Sequence, residues 1–140
     1  MTIYLRKQTT RDGRPVFLPA SRHAEEKARE IKGGKVIKAT ETEDRNWRLH
    51  DKYFAVLATV WENQEQFKSS EQLREATLIE IGYTELREKF NGERYLVAAS
   101  MATGKILPGW TIEKIYEASI DAWCRHFGFD RALLEGEIAA

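Results

Sequence analysis

A single cysteine in 140 residues, Cys124, leaves no partner for an internal disulfide and no thiolate cluster for a metal. Long apolar runs are missing as well. Nothing approaches the roughly 18 consecutive apolar residues of a membrane span, and the opening MTIYLRKQTTRDGR lacks the apolar stretch of a signal peptide. A cytoplasmic chain with no membrane partner is therefore expected. Net charge is zero, 22 Lys and Arg balancing 22 Asp and Glu, which excludes a generic cationic DNA coat. Repeats, low-complexity stretches and linkers are absent, so residues 1–140 read as a single domain. Aromatic residues, in contrast, are plentiful. Four Trp, five Tyr and six Phe argue for a packed core and against disorder.

Signatures of catalysis are also missing. His23, His50 and His126 fall on three different predicted helices, without the spacing of a zinc site. Gly33-Gly34-Lys35 superficially suggests a phosphate loop, but here a helix precedes and a strand follows, the reverse of what that loop requires. Nothing singles out an acid pair among the 22 carboxylates. No enzyme, metal or cofactor is expected.

The longest helical pattern runs from Asp44 to Gln64. Trp47, His50, Tyr53, Phe54, Leu57, Val60 and Trp61 share one broad face, while Arg45, Arg48 and Lys52 fall on roughly the opposite side. Asp44 is the expected N-cap. Before this central helix, Ile3–Gln8 and Pro15–Leu18 read as a hairpin with a loop of about five residues, and Pro19 ends its second strand. Ser21 caps a helix reaching Lys32, and the β-branched Lys35–Thr40 reads as a further strand.

After the central helix, Ser69 and Gln72 have capping-box spacing for a helix over about Ser70–Ile81, which Gly82 stops. Asn91-Gly92 predicts a two-residue type I′ turn joining Thr84–Phe90 to Glu93–Ser100. That register pairs Lys89 with Arg94 and Arg87 with Leu96, gathering Arg87, Lys89 and Arg94 on one face. Thr111 then caps a second amphipathic helix that ends at Gly128. An exposed Leu133-Leu134 near the end would suggest self-association. The predicted fold is α+β: a small antiparallel sheet from two hairpins plus one further strand, packed on a long central helix and a C-terminal helix.

Charge is unevenly spread. Residues 1–40 hold ten Lys and Arg against four Asp and Glu, whereas residues 41–140 hold twelve against eighteen. If the first segment lies together in space, it makes one anion-attracting side; a solvated surface with no partner would look the same. Arg45 and Arg48 oppose the helix dipole at the start of the central helix. They either pair with Glu41, Glu43 or Asp51 or meet phosphates. His50, among aromatic neighbours, reads first as a hydrogen-bonded core residue, the alternatives being a general base or a base-stacking residue.

With Arg45-Asn46, His50, Lys52, Tyr53-Phe54-Ala55 and Leu57, the chain resembles an uncharacterised family of phage and prophage proteins. In that family a short β-rich N-terminus leads into a helix reading roughly Arg-Asn-x-x-x-His-x-Lys-aromatic-Phe-Ala-x-Leu. More distantly, Asn46–His50 is similar to the Gln-Asn-Ala-x-x-His stretch of the NinB (Orf) recombination proteins of lambdoid phages, which bind single-stranded DNA. Trp47 stands in place of the small residue and Arg45 in place of the glutamine. The resemblance implies nucleic-acid binding in recombination or replication and carries over Arg45, Asn46, His50 and Lys52 as the family positions. Arg45, Arg48 and Lys52 would meet phosphates while Asn46 and Asp44 bond the open N–H groups of the helix start; equally, these residues would only lock the helix entry. A homodimer is expected. Arg87, Lys89 and Arg94 would supply a second basic surface, with Tyr83 and Trp110 as stacking platforms for bases. The alternative is a phage protein that binds and inhibits a host protein complex, either a defence system or a polymerase.

Overall fold

A computed structural model of the chain describes residues 3–39, 47–102 and 104–136. Its element order is β1 (Leu5–Thr9), β2 (Pro15–Pro19), α1 (Arg22–Arg29), α2 (Trp47–Glu62), α3 (Ser70–Glu80), β3 (Thr84–Glu88), β4 (Arg94–Ala98), α4 (Ile112–Phe127) and α5 (Arg131–Gly136). The fold is α+β. No described helix is long and apolar enough to cross a membrane.

The core is helical. On α2, Tyr53, Val56, Leu57 and Val60 are buried. They meet Leu73 and Leu78 of α3 and Ile115, Tyr116, Ile120 and Trp123 of α4. Trp47, Phe54 and Trp61 of the predicted aromatic face are only half-buried, and Ala55 and Val56 go inward beside it. Two side-chain bonds cross this core, Trp123 Nε1 donating to Thr77 Oγ1 at 2.8 Å and Ser119 Oγ to Tyr53 Oη at 3.3 Å. The hairpins attach outside the helices, β2 against α1 and β4 against α3.

Helix ends follow their caps. Ser69 Oγ accepts from Gln72 N at 3.1 Å, while Gln72 Oε1 reaches back to Lys68 N at 3.2 Å, one residue before the usual reciprocal partner. Thr111 Oγ1 accepts from Lys114 N at 3.1 Å. At the other end of α4, Gly128 takes the left-handed conformation (φ 75°) and donates to Cys124 O. Helix α1 starts at its Ser21 cap as expected but stops at Arg29, short of Lys32. Leu134 of α5 is buried, whereas Leu133 is exposed.

Three strand expectations are corrected. The two hairpins form separate two-stranded sheets instead of one. Residues 35–39 form no strand, and Val36 is 93% exposed. β-branched residues favour strands when they pack in a paired sheet, and no strand among the described residues pairs with this segment.

The third correction concerns register. In the second hairpin Glu88 pairs with Arg94, Arg87 with Tyr95 and Leu86 with Leu96, one residue away from the type I′ prediction. Gly92 N donates to Lys89 O and Lys89 N to Glu93 O, both at 2.9 Å, so the loop is Phe90-Asn91-Gly92. This is a type I turn closed by a glycine bulge, with positive φ only at Gly92 (85°). It spares Asn91 the left-handed conformation that a type I′ turn demands. It also continues the ladder to the buried pair Tyr83 and Ala99, where Ala99 N donates to Tyr83 O at 3.2 Å.

Candidate nucleic-acid interface

The first hairpin turns in the same way as the second. Gly13 N donates to Thr10 O at 3.0 Å, with Gly13 at φ 82°, and Thr10 N donates to Arg14 O at 2.9 Å. Arg14 Nε reaches Asp12 at 3.0 Å, and the hydroxyl of Thr10 also donates to Asp12. These bonds, that of Thr10 foremost, hold the Asp12 carboxyl below its ordinary range. Lys7 pairs with Phe17 and Arg6 with Leu18 across the ladder. Leu5, Lys7, Thr9, Pro15 and Phe17 therefore share one face, and Arg6, Gln8, Val16 and Leu18 the other.

Every residue of β1 is exposed, and Phe17 is 61% exposed. A lone two-stranded ribbon is marginal in water, so its anchors matter. Tyr4, just before β1, is buried, and its hydroxyl donates to His50 Nδ1 at 2.9 Å. His50 Nε2 donates in turn to Met101 O at 3.0 Å. A carbonyl only accepts, which places the ring hydrogen on Nε2 and leaves Nδ1 as acceptor. After β2, Ser21 donates to the buried Asp51 of α2 while also capping α1. His50 and Asp51 thus hold the two ends of the ribbon.

Residues 3–39 carry ten Lys and Arg and four Asp and Glu. All four acids are neutralised locally: Asp12 by Arg14, Glu26 by Arg22, Glu30 by Lys27 and Glu25 by Arg29. The last three are helical i,i+3 or i,i+4 pairs. Six exposed cations remain without an ion-pair partner among the described residues: Arg6, Lys7, Arg11, Lys32, Lys35 and Lys38. The surplus read from residues 1–40 is thus carried by the hairpin and the segment after α1.

The residues expected to bind are placed differently. Arg45 and Asn46, with the predicted cap Asp44, lie outside the described residues. Arg48 is exposed and lies over the Trp47 ring at 5.4 Å. Lys52 turns to α5, with its Nζ 3.0 Å from Glu135 and 5.3 Å from the Tyr116 ring centre. Burial pulls the Lys52 ammonium down, but the bonds to Glu135 and Tyr116 outweigh it and hold it above its ordinary value.

The three basic residues of the second hairpin do not form one patch. The observed register puts Arg87 and Lys89 on the face of Tyr95 and Arg94 on the other, because a one-residue slip reverses every side chain of a strand relative to its partner. Lys89 pairs with Glu93 at 3.4 Å and Arg94 with Glu88 at 3.9 Å. Tyr83 is no stacking platform. Its side chain is fully buried, its hydroxyl donates to Ser100 O, and Trp110 stands edge-on to its ring at 5.2 Å. Trp110 is half-buried with Lys114 4.6 Å from its ring centre. The start of α2 packs with Tyr4 and the second hairpin packs on α3, so the two expected basic surfaces serve different neighbourhoods.

Away from the ribbon, a hollow of about 380 Å³ lies between α3 and α4, walled by Phe67, Trp123 and Phe127, with His126 bound to Gln66 at 2.7 Å. Among the described residues no three His, Cys, Asp or Glu gather to hold a metal ion. Comparisons of the chain with family models, curated proteins and solved structures returned no match.

The cluster that claims Lys52 carries a pH prediction. Arg131 Nε at 2.5 Å, Lys52 Nζ at 3.0 Å and the Tyr116 hydroxyl at 3.3 Å converge on Glu135, and Arg131 also grips Glu117 through two bonds. The Arg131 bond first, then that of Lys52, brings the Glu135 carboxyl down to about 2 from an ordinary 4.5. A carboxyl depressed on folding stabilises the fold above its unfolded value. That contribution disappears as pH falls from about 4.5 towards 2. With solvent screening, about 1 kcal/mol is expected. Urea titrations of wild type and Glu135→Gln should differ by that amount at pH 7 and converge near pH 2; a gap that persists unchanged in acid would contradict the assignment.

Proposed function

We propose that this chain is a small nucleic-acid-binding protein of the phage type, acting in the bacterial cytoplasm, and that it contacts its ligand through the β1–β2 ribbon and the segment from Lys32 to Lys38. One observation carries the reading: every acid of residues 3–39 is neutralised by a neighbour, which leaves six exposed cations with no ion-pair partner among the described residues. Phe17, exposed directly across from Lys7, supports single strands as the preferred form. Unpaired bases offer a face to stack on it, whereas a duplex keeps its base faces stacked inside. The reading keeps Arg48 as a flank and removes Lys52, Arg94 and Tyr83 from the contact surface.

The test is anisotropy of a labelled single-stranded oligonucleotide across a salt series. Six phosphate contacts on a single strand give a log–log slope of about −4, hence a loss of about 10²- to 10³-fold in affinity between roughly 50 and 200 mM salt. Replacing Arg6, Lys7 and Arg11 together by alanine should flatten the slope by about 2. Phe17→Ala should weaken single-strand binding by about 5- to 100-fold and leave the slope unchanged. Arg94→Ala serves as the control and should change neither. Absence of binding to single- or double-stranded nucleic acid at low salt refutes the proposal and leaves a host protein as the partner to seek.

A further inference from the structure

Beyond Thr84 and the core-packed Ala98, the second hairpin projects into the open, and one of its faces is apolar there. Leu86 and Leu96 form a direct cross-strand pair on β3 and β4 and are 62% and 55% exposed. The next pair towards the tip on that face is Glu88 with Arg94, and Phe90 at the tip is fully exposed. Apolar side chains paired across an open ribbon favour a covering partner. The charges beside them say which kind. A uniformly charged partner, nucleic acid included, would meet one like and one opposite charge. A second copy of the face would find both its charges matched.

We propose that this face pairs with the same face of a second copy of the chain. A two-fold axis running along the strands exchanges β3 and β4 between the layers. It places Leu86 of each copy over Leu96 of the other and Glu88 of each over Arg94 of the other, so two leucine contacts and two ion pairs close symmetrically. The alternative in-plane axis, across the strands, keeps the leucines together but sets the charged pair over Thr84 and Ala98. The charge pattern therefore selects the first axis. A five-residue ribbon is about 17 Å long and covers less than the roughly 800 Å² per partner of a standard interface. The dimer accordingly belongs to the weak, transient class of interface. The pairing stands independently of the nucleic-acid reading.

Sedimentation velocity of the full chain over a concentration series tests it, with circular dichroism confirming that each variant folds. Wild type should pass from one chain mass towards two, and Leu86→Glu should stay at one. Glu88→Arg makes the face wholly cationic and Arg94→Glu makes it wholly anionic. Each alone should be monomeric, while an equimolar mixture of the two should associate at least as tightly as wild type. A monomeric wild type at every concentration overturns the proposal, as does a dimer that Leu86→Glu leaves intact, or a mixture of the two charge variants that stays monomeric.

Discussion

Replacing His50 by phenylalanine is expected to destabilise the protein by about 2–4 kcal/mol, read as a shift of the urea midpoint at constant slope. The substitution keeps a planar ring between Tyr4 and Phe54, whose rings lie 5.7 and 5.1 Å from that of His50. What it removes is polar. The Met101 carbonyl loses the Nε2 donor 3.0 Å away, and the Tyr4 hydroxyl loses its Nδ1 acceptor. Leaving the Met101 carbonyl without its donor costs about 1–3 kcal/mol, and losing the Tyr4 bond adds about 1 kcal/mol more, which places the total in that range. Tyr4→Phe deletes only one of the two bonds and should cost about half as much.

The same variant separates the readings of His50. As a general base or a stacking residue it would leave stability nearly intact and remove function. As an anchor it should lower stability and loosen the ribbon first, so that amide exchange across Leu5–Pro19 rises before that of α2. Stability within about 0.5 kcal/mol of wild type, the usual span for neutral surface changes, would show that the two bonds carry nothing.

His50 also marks where sequence reasoning reaches and where it stops. Its inward placement follows from the helical spacing of Trp47 to Trp61, and the caps at Ser69, Thr111 and Gly128 are equally local, each needing only residues within one turn. Its partners are not local: Tyr4 lies 46 positions before it and Met101 51 after it. Lys52 shows the cost of that limit. On a helical wheel it is a free cation, yet Glu135, 83 residues away, holds it.

Register fails for another reason. Asn91-Gly92 fits both a type I′ turn and a type I turn with a glycine bulge, two geometries one residue apart. The choice lies in the buried Tyr83–Ala99 pair at the far end of the strands, which no turn motif reports. The ribbon is the opposite case. Its signal, the excess of ten cations over four acids in residues 1–40, is plain in the sequence. Which cations are taken up by the four acids of that stretch is settled by short-range bonds in α1 and the Thr10–Arg14 turn.

The largest stability loss is expected at Trp123. Trp123→Ala should cost about 3–5 kcal/mol, the range for emptying a large aromatic from a core. Trp123 is almost fully buried where α2, α3 and α4 meet, its ring 5.6 Å from that of Tyr53 and its Nε1 bound to Thr77 Oγ1. The truncation removes apolar contact to all three helices and the donor to Thr77 together. Thr77 Oγ1 itself donates to Leu73 O at 2.7 Å, so it keeps one partner and the polar part of the loss stays small. Trp123→Phe should therefore recover most of the stability, leaving a deficit of about 1–2 kcal/mol from the smaller ring and the missing bond. For a chain of this size, about 3–4 °C per kcal/mol puts the alanine variant about 9–20 °C below wild type in Tm. The hollow beside Trp123 gives the measurement a second edge. If it lets Phe67 and Phe127 collapse into the vacated space, the alanine variant will fall at the low end of the range; a loss below about 1 kcal/mol would mean that the three helices do not share this side chain as their common core.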